Sequence, residues 1–350
     1  MATPASVLTI VTAAELRELL GSSDPPLLIE ARSATDPAPS AVIPGAVAFS
    51  LASIDVYEED HARLGWPQIR SGNYSLKPPA EVRSALEAAG ITHLRRTVVY
   101  TQSAKAGGHD VAVAARLAWA LSFAGVAHVS LLPRGLWPYE TAAQYSPPHP
   151  VADFFEGAPT LPFPLHPEFV ASTAQVEHAV AAGGCGPGAV LADVRSWREF
   201  CGGAHDYPFP MPLGRIPHAR WAHWGPATYV GGDLFVHETG QMQPLASIVG
   251  LWREWGLELG GSERIIFYCG SGWRSAVGWC LARIMHHADC ANYDGGFLEW
   301  SMLDERADAH PIERGNLVGC DSAAARGEDS RGAAESAEHL MPASAPRVNA

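Results

Sequence analysis

Along this chain, short runs of consecutive apolar residues alternate with longer stretches in which apolar positions recur every three or four residues. "LLIEARS" from Leu27, "VVYTQ" from Val98, "VLADVRS" from Val190 and "IFYCG" from Ile266 are short and rich in aliphatic and aromatic residues, and predict buried strands. "AEVRSALEAAG" from Ala80, "VAVAARLAWALSFAG" from Val111 and "ASIVGLWREWG" from Ala246 predict helices. Near the start, Thr12 followed by Glu15 has the spacing of a capping box that opens a further helix. Strands alternating with helices predict an α/β fold built on a mainly parallel sheet with helices on its faces.

The pattern occurs twice. "LLIEARS" returns as "VLADVRS", "IPGA" from Ile43 as "IPHA" from Ile216, "VVYTQ" as "IFYCG", and "RGLW" from Arg134 as "GGFL" from Gly295. Four segments in the same order predict a tandem duplication. The first unit is expected over residues 1–148, a Pro-rich linker over 149–164, the second unit over 165–318, and a disordered tail over 319–350, where large apolar residues are few and no period is visible. The stretch from Val111 to Leu132 is apolar enough to suggest a membrane span. Arg116 and His128 interrupt it and Gly125 divides it, so a helix followed by a strand is expected.

Composition narrows the partners. The formal net charge is −13, which argues against nucleic acid or an anionic membrane. The six cysteines (Cys185, Cys201, Cys269, Cys280, Cys290 and Cys320) form no CxxC pair, and "MATPASVLTIVTAAELRELL" has no basic leader, so reduced thiols in the cytoplasm are expected. His205, His218, His223 and the pair His286–His287 have no ligand spacing, and neither metal nor cofactor is expected.

One cysteine stands apart. Cys269 follows the apolar run Ile265 to Tyr268, and "GSGWRS" follows it, with a helix expected from about Ser275. In open α/β sheets ligands bind at the carboxyl ends of strands. Gly270 and Gly272 let the loop curl so that backbone N–H groups face the sulfur, while the helix N-terminus and Arg274 add positive charge; together these favour a reactive thiolate. Ser271 either curves the loop or donates its hydroxyl to a bound sulfur. Cys280, in an apolar helix, and Cys290, before a strand, read as core residues. Asp193 and Arg195 read as a structural pair at a strand end.

The repeat, "DVRS" with "GRIP", the cysteine loop and "YDGGFLEW" together resemble the tandem rhodanese-type sulfurtransferases over about residues 7–315. The resemblance implies two rhodanese-like domains, the first without a catalytic cysteine: Thr101 stands near the place of Cys269. It also implies that Cys269 takes sulfur from a small-molecule donor, carries it as a persulfide and passes it to a nucleophilic small-molecule acceptor. The related phosphatases have one more residue between cysteine and arginine, and the shorter loop favours one sulfur atom over a tetrahedral anion.

Within the family, "CGSG" is similar to the 3-mercaptopyruvate enzymes, but Trp273 and Arg274 depart from their loop and Glu199 stands where an arginine would hold the donor carboxylate. The loop C-G-[ST]-G-W-R-x-S with "YDGG" resembles the polysulfide-dependent ergothioneine-forming subgroup, which thiolates hercynine. That resemblance implies an assisting role in proton transfer for Tyr207, which otherwise reads as a packing residue. Trp273 is a lid or a pocket wall, and Ser275 completes the loop. A redox-sensing or non-catalytic module is the alternative to the enzyme.

Overall fold

The computed structural model describes residues 7–34, 43–57, 75–101, 109–132, 166–184, 189–203, 205, 207, 211–223, 245–302 and 310–315. The first unit runs β1 (Val7–Ile10), α1 (Ala13–Leu20), β2 (Leu27–Arg32), β3 (Val47–Ser50), α2 (Pro79–Ala88), β4 (Thr97–Tyr100), α3 (His109–Phe123) and β5 (His128–Leu131). The second runs β6 (Val170–Ala171), α4 (Thr173–Ala181), β7 (Val190–Asp193), α5 (Trp197–Phe200), β8 (Arg220–Trp221), α6 (Leu245–Glu254), β9 (Ile265–Tyr268), α7 (Trp273–Ile284), β10 (Cys290–Tyr293) and α8 (Gly296–Met302). The expected linker over 149–164, the tail over 319–350, the "RGLW" segment, Cys185 and Cys320 lie outside the described residues.

Each unit holds a five-stranded sheet with every pairing parallel, in the orders β1-β5-β4-β2-β3 and β6-β10-β9-β7-β8. The two orders are the same once the strands are renumbered within each unit. The duplication reaches single hydrogen bonds. Ile43 N–H donates to Tyr100 Oη at 3.1 Å, and Ile216 N–H donates to Tyr268 Oη at 3.2 Å. Arg32 pairs with Glu30 as Arg195 pairs with Asp193. Gly45 has φ 81°, and His218, its counterpart in "IPHA", is held at φ 62° although it carries a Cβ.

The capping box at α1 is present: Thr12 Oγ1 accepts from Glu15 N–H, and the Glu15 carboxylate accepts from Thr12 N–H at 2.7 Å. Parallel strands covered on both faces need apolar residues throughout, and β4, β7, β9 and β10 are buried at every position.

The long apolar stretch divides as expected into α3 and β5 around Gly125, at φ 89°. Its apolar character has a tertiary cause. From Ala112 to Ser122 every residue of α3 is buried, because the helix lies between its own sheet and α7 of the second unit. One continuous hydrophobic core therefore joins the units, including Val113, Leu117 and Trp119 from the first and Val277, Trp279 and Cys280 from the second. Trp119 Nε1–H donates across to Phe169 O at 3.0 Å. Among the described residues no helix is long and apolar enough to cross a membrane. The helix of the second unit that meets α3 is the one that begins at the cysteine loop.

Candidate active site

Cys269 lies directly beyond β9, at the carboxyl end of the central strand of the second sheet, and is 1 % exposed. The helix after it starts earlier than the residue pattern suggests. α7 begins at Trp273, with Gly272 as its N-cap, so Trp273, Arg274 and Ser275 form its first turn rather than the end of a loop. The cause is Gly272 itself: at φ 81° it reverses the chain in a conformation costly for other residues, and a Cβ there would collide with the carbonyl of Asp294.

Gly270 has a different reason to be glycine. Its φ is not positive; the Tyr207 ring packs so close that a Cβ would fall inside it. Gly270 N–H donates to Tyr207 Oη at 2.7 Å, and Arg274 Nη2–H donates to the same oxygen. The Arg274 guanidinium also lies over the Tyr207 ring, 5.0 Å from its centroid. Ser275 Oγ–H donates to Cys269 Sγ at 3.6 Å, and Ser271 is buried in the loop at 7 % exposure. Six of the residues singled out in the sequence, Cys269, Gly270, Ser271, Arg274, Ser275 and the distant Tyr207, thus meet at one strand end. Trp273 is half-buried and packs against the core shared by the two units.

Arg274 is not the uncompensated cation that the loop sequence suggests. Its Nη1–H donates to Glu199 Oε2 at 2.9 Å and its Nη2–H to Glu199 Oε1 at 2.8 Å, a buried two-pronged pair. Glu199 also caps α5: its carboxylate accepts from Ser196 N–H at 3.0 Å and Ser196 Oγ–H at 2.9 Å, while Glu199 N–H donates to Ser196 Oγ at 3.3 Å. Burial alone would raise the Glu199 carboxyl, but Arg274, then Arg195 and the Ser196 amide, bring it down to about 2. Glu199 is the site residue whose partner the residue pattern did not reveal. "SWRE" is a capping-box sequence and was legible as such; that the same carboxylate also meets Arg274 needed the fold.

Burial holds the Tyr207 phenol well above its ordinary pKa, against the pull of Arg274, so the hydroxyl keeps its proton at neutral pH. Burial also lowers His223 to about 4 and leaves it neutral, its ring stacked on Trp221 with centroids 5.1 Å apart. His205 lies beside Tyr207, with ring centroids 6.4 Å apart. Among the described residues no group of three His, Cys, Asp or Glu side chains could hold a metal ion. Asp193 and Arg195 form the structural pair expected of them: Arg195 Nη2–H donates to Asp193 Oδ2 at 2.6 Å and to Gly214 O at 2.8 Å, bracing β7 against the "GRIP" segment.

Comparison with known proteins agrees with this geometry. Residues 176–303 match the rhodanese-like domain family. The thiosulfate sulfurtransferase YnjE of Escherichia coli is 30% identical over 225 residues, covering 63% of this chain and 48% of that protein, so the chain spans about half the length of this relative. SseB of Mycobacterium tuberculosis is 27% identical over 312 residues, covering 87% of this chain and 97% of its own. The crystal structure of YnjE superposes with a TM-score of 0.66 at 25% identity, covering 88% of this chain and 68% of that one. An anaerobic ergothioneine biosynthesis enzyme from Chlorobium limicola, solved with trimethyl histidine, superposes with a TM-score of 0.67 at 23% identity over 88% of this chain and 70% of its own, a likeness of fold. The chain is accordingly a two-unit α/β protein of tandem rhodanese-like architecture, with the family's sequence match in the second unit, around Cys269.

Proposed function

We propose that this protein is a sulfurtransferase that carries sulfane sulfur as a persulfide on Cys269. The observation that supports it most is the setting of that one thiol: at the end of a central parallel strand, accepting from the Ser275 hydroxyl, on a short loop whose Gly270 amide and Arg274 both bind the Tyr207 hydroxyl, a loop too short for phosphate. With thiosulfate, the Cys269 thiolate attacks the outer sulfur, the sulfur–sulfur bond breaks, and sulfite leaves with the electron pair. An acceptor nucleophile then takes the terminal sulfur and the Cys269 thiolate departs. Polysulfide serves the first step in the same way, with a shorter polysulfide as leaving group.

The charge-matched Arg274–Glu199 pair weighs against a donor that must be held by its carboxylate, as mercaptopyruvate is, and favours polysulfide or thiosulfate. For the acceptor, the fold likeness to the trimethyl histidine complex and the position of Tyr207 favour hercynine. Transfer to an imidazole carbon exchanges its hydrogen for a thiol, and a protonated phenol against the cysteine loop is suited to proton delivery during that exchange.

Intact-protein mass spectrometry tests the reading. Incubation with thiosulfate or polysulfide is expected to add the mass of one sulfur atom at Cys269, and a subsequent acceptor to remove it. No added mass with either donor overturns the proposal and leaves the redox-sensing or non-catalytic reading. A second expectation separates the steps. Tyr207→Phe should slow thiolation of hercynine by about 10²-fold or more while persulfide still forms, as for a group that moves a proton in the transfer step. Equal loss in both steps would assign Tyr207 to packing.

A further inference from the structure

α3 carries Arg116 at the middle of its buried surface, at 0 % exposure, in a unit that has no cysteine loop. A guanidinium in that position has to be paired, and its partners lie on both sides of the junction between the units. Toward its own unit, Arg116 Nη2–H donates to Asp55 Oδ1 at 2.7 Å and Nε–H to Asp55 Oδ2 at 3.3 Å. Toward the second unit, Nη1–H donates to Asp294 Oδ1. The other Asp294 oxygen accepts from Leu76 N–H of the first unit at 2.8 Å. Both oxygens of one carboxylate of the second unit are thus held by the first.

Asp294 belongs to the turn that supports the cysteine loop from behind. Its carbonyl lies against Gly272, close enough to exclude a Cβ there. On either side of it, Asn292 Nδ2–H donates to Gly272 O at 3.0 Å, Phe297 N–H to Cys269 O at 2.7 Å and Leu298 N–H to Gly270 O at 2.9 Å. The carbonyls of Cys269, Gly270 and Gly272 are thus all held by this turn.

We infer that Arg116 is a positioning residue: by holding Asp294 it fixes the turn that sets the Cys269 loop, and this is what the unit without a cysteine contributes to sulfur transfer. The inference deepens the function proposed above and rests on it for its kinetic readout. The effect is one of geometry, since Arg116 meets Asp294 and not Cys269. Small displacements of a reacting group are costly, up to about a hundredfold for 1 Å.

Asp294→Asn is the informative variant, because it keeps the shape and the acceptor for Leu76 N–H, and Arg116 retains Asp55. Arg116→Lys is the second, keeping the charge without the fork that spans two carboxylates. Both are expected to fold, with a melting temperature within several degrees of wild type. In both, kcat for thiosulfate sulfur transfer should fall about tenfold with KM changed less than about twofold. The rate of Cys269 alkylation by iodoacetamide should fall with kcat, and this readout needs no sulfur chemistry. Wild-type kcat and wild-type alkylation in both variants would overturn the inference, as would losses that only track the fraction unfolded. A wild-type protein that takes up no sulfur would instead overturn the proposed function, and the alkylation rates would still decide the role of Arg116.

Discussion

Replacing Cys269 with serine is expected to lower sulfur transfer by at least about a thousandfold, because a hydroxyl is too weak a nucleophile at sulfur to replace a thiolate in the covalent step. The other described thiols are poorly placed to substitute. Burial raises Cys280 well above the ordinary thiol range and Cys290 to about 12, and both lie in the core. Cys201 is half-buried at the end of α5, and burial raises it too. Steady-state transfer from thiosulfate, run beside intact mass, should show the Cys269→Ser protein with neither activity nor added sulfur, and Cys201→Ser close to wild type. If Cys269→Ser retained a tenth of the wild-type rate, sulfur would be travelling through another thiol.

Breaking the Arg274–Glu199 pair should have the largest effect on stability. Arg274→Leu leaves the Glu199 carboxylate buried beside Ser196 without its cation. Removing one partner of a buried pair costs about 3–5 kcal/mol, which corresponds to a fall in melting temperature of roughly 4–7 °C for a protein of this size. Exchanging both partners in Arg274→Leu/Glu199→Leu removes the orphaned charge and should restore much of that loss, without restoring sulfur transfer. A single variant as stable as wild type would mean that water reaches Glu199 once the arginine is gone.

The same pair sets an acid limit. The Glu199 carboxyl is at about 2 in the folded protein, below an unfolded value of about 4.3, so the unfolded chain binds its proton first as the pH falls. The stabilisation is therefore complete above about pH 5 and is lost as the pH drops through the folded value near 2. Urea melts from pH 6 to 2 should show a steeper loss of stability in the wild type than in Glu199→Gln. Equal slopes would indicate that Glu199 titrates normally.

Much of this was legible from residue order. The tandem duplication rests on periodicity and turn residues, which are local, and the identical strand orders of the two sheets follow from it. Cys269 could be singled out because an apolar run, a glycine-rich turn and a helix are contiguous in the chain. Its neighbours within six residues came with it. The start of α7 was displaced by two residues, since Gly272 is at once the last loop residue and the helix N-cap.

What residue order could not assign was the partner of each buried charge. Arg274 reads as a cation aimed at sulfur until Glu199 is found opposite it, and Arg116 reads as an interruption in an apolar helix until Asp55 and Asp294 are found on either side. Tyr207 could be named from resemblance, yet only the fold brings its hydroxyl to the Gly270 amide. The sequence by itself determined the two units, their strands and helices, and which thiol is set apart, because those follow from short-range patterns of burial and turn formation. The tertiary structure alone decided that the loop arginine is neutralised by a carboxylate and that the unit without a cysteine holds the turn behind the loop. Charges separated by tens or hundreds of residues in the chain become coupled only when folding removes the water between them.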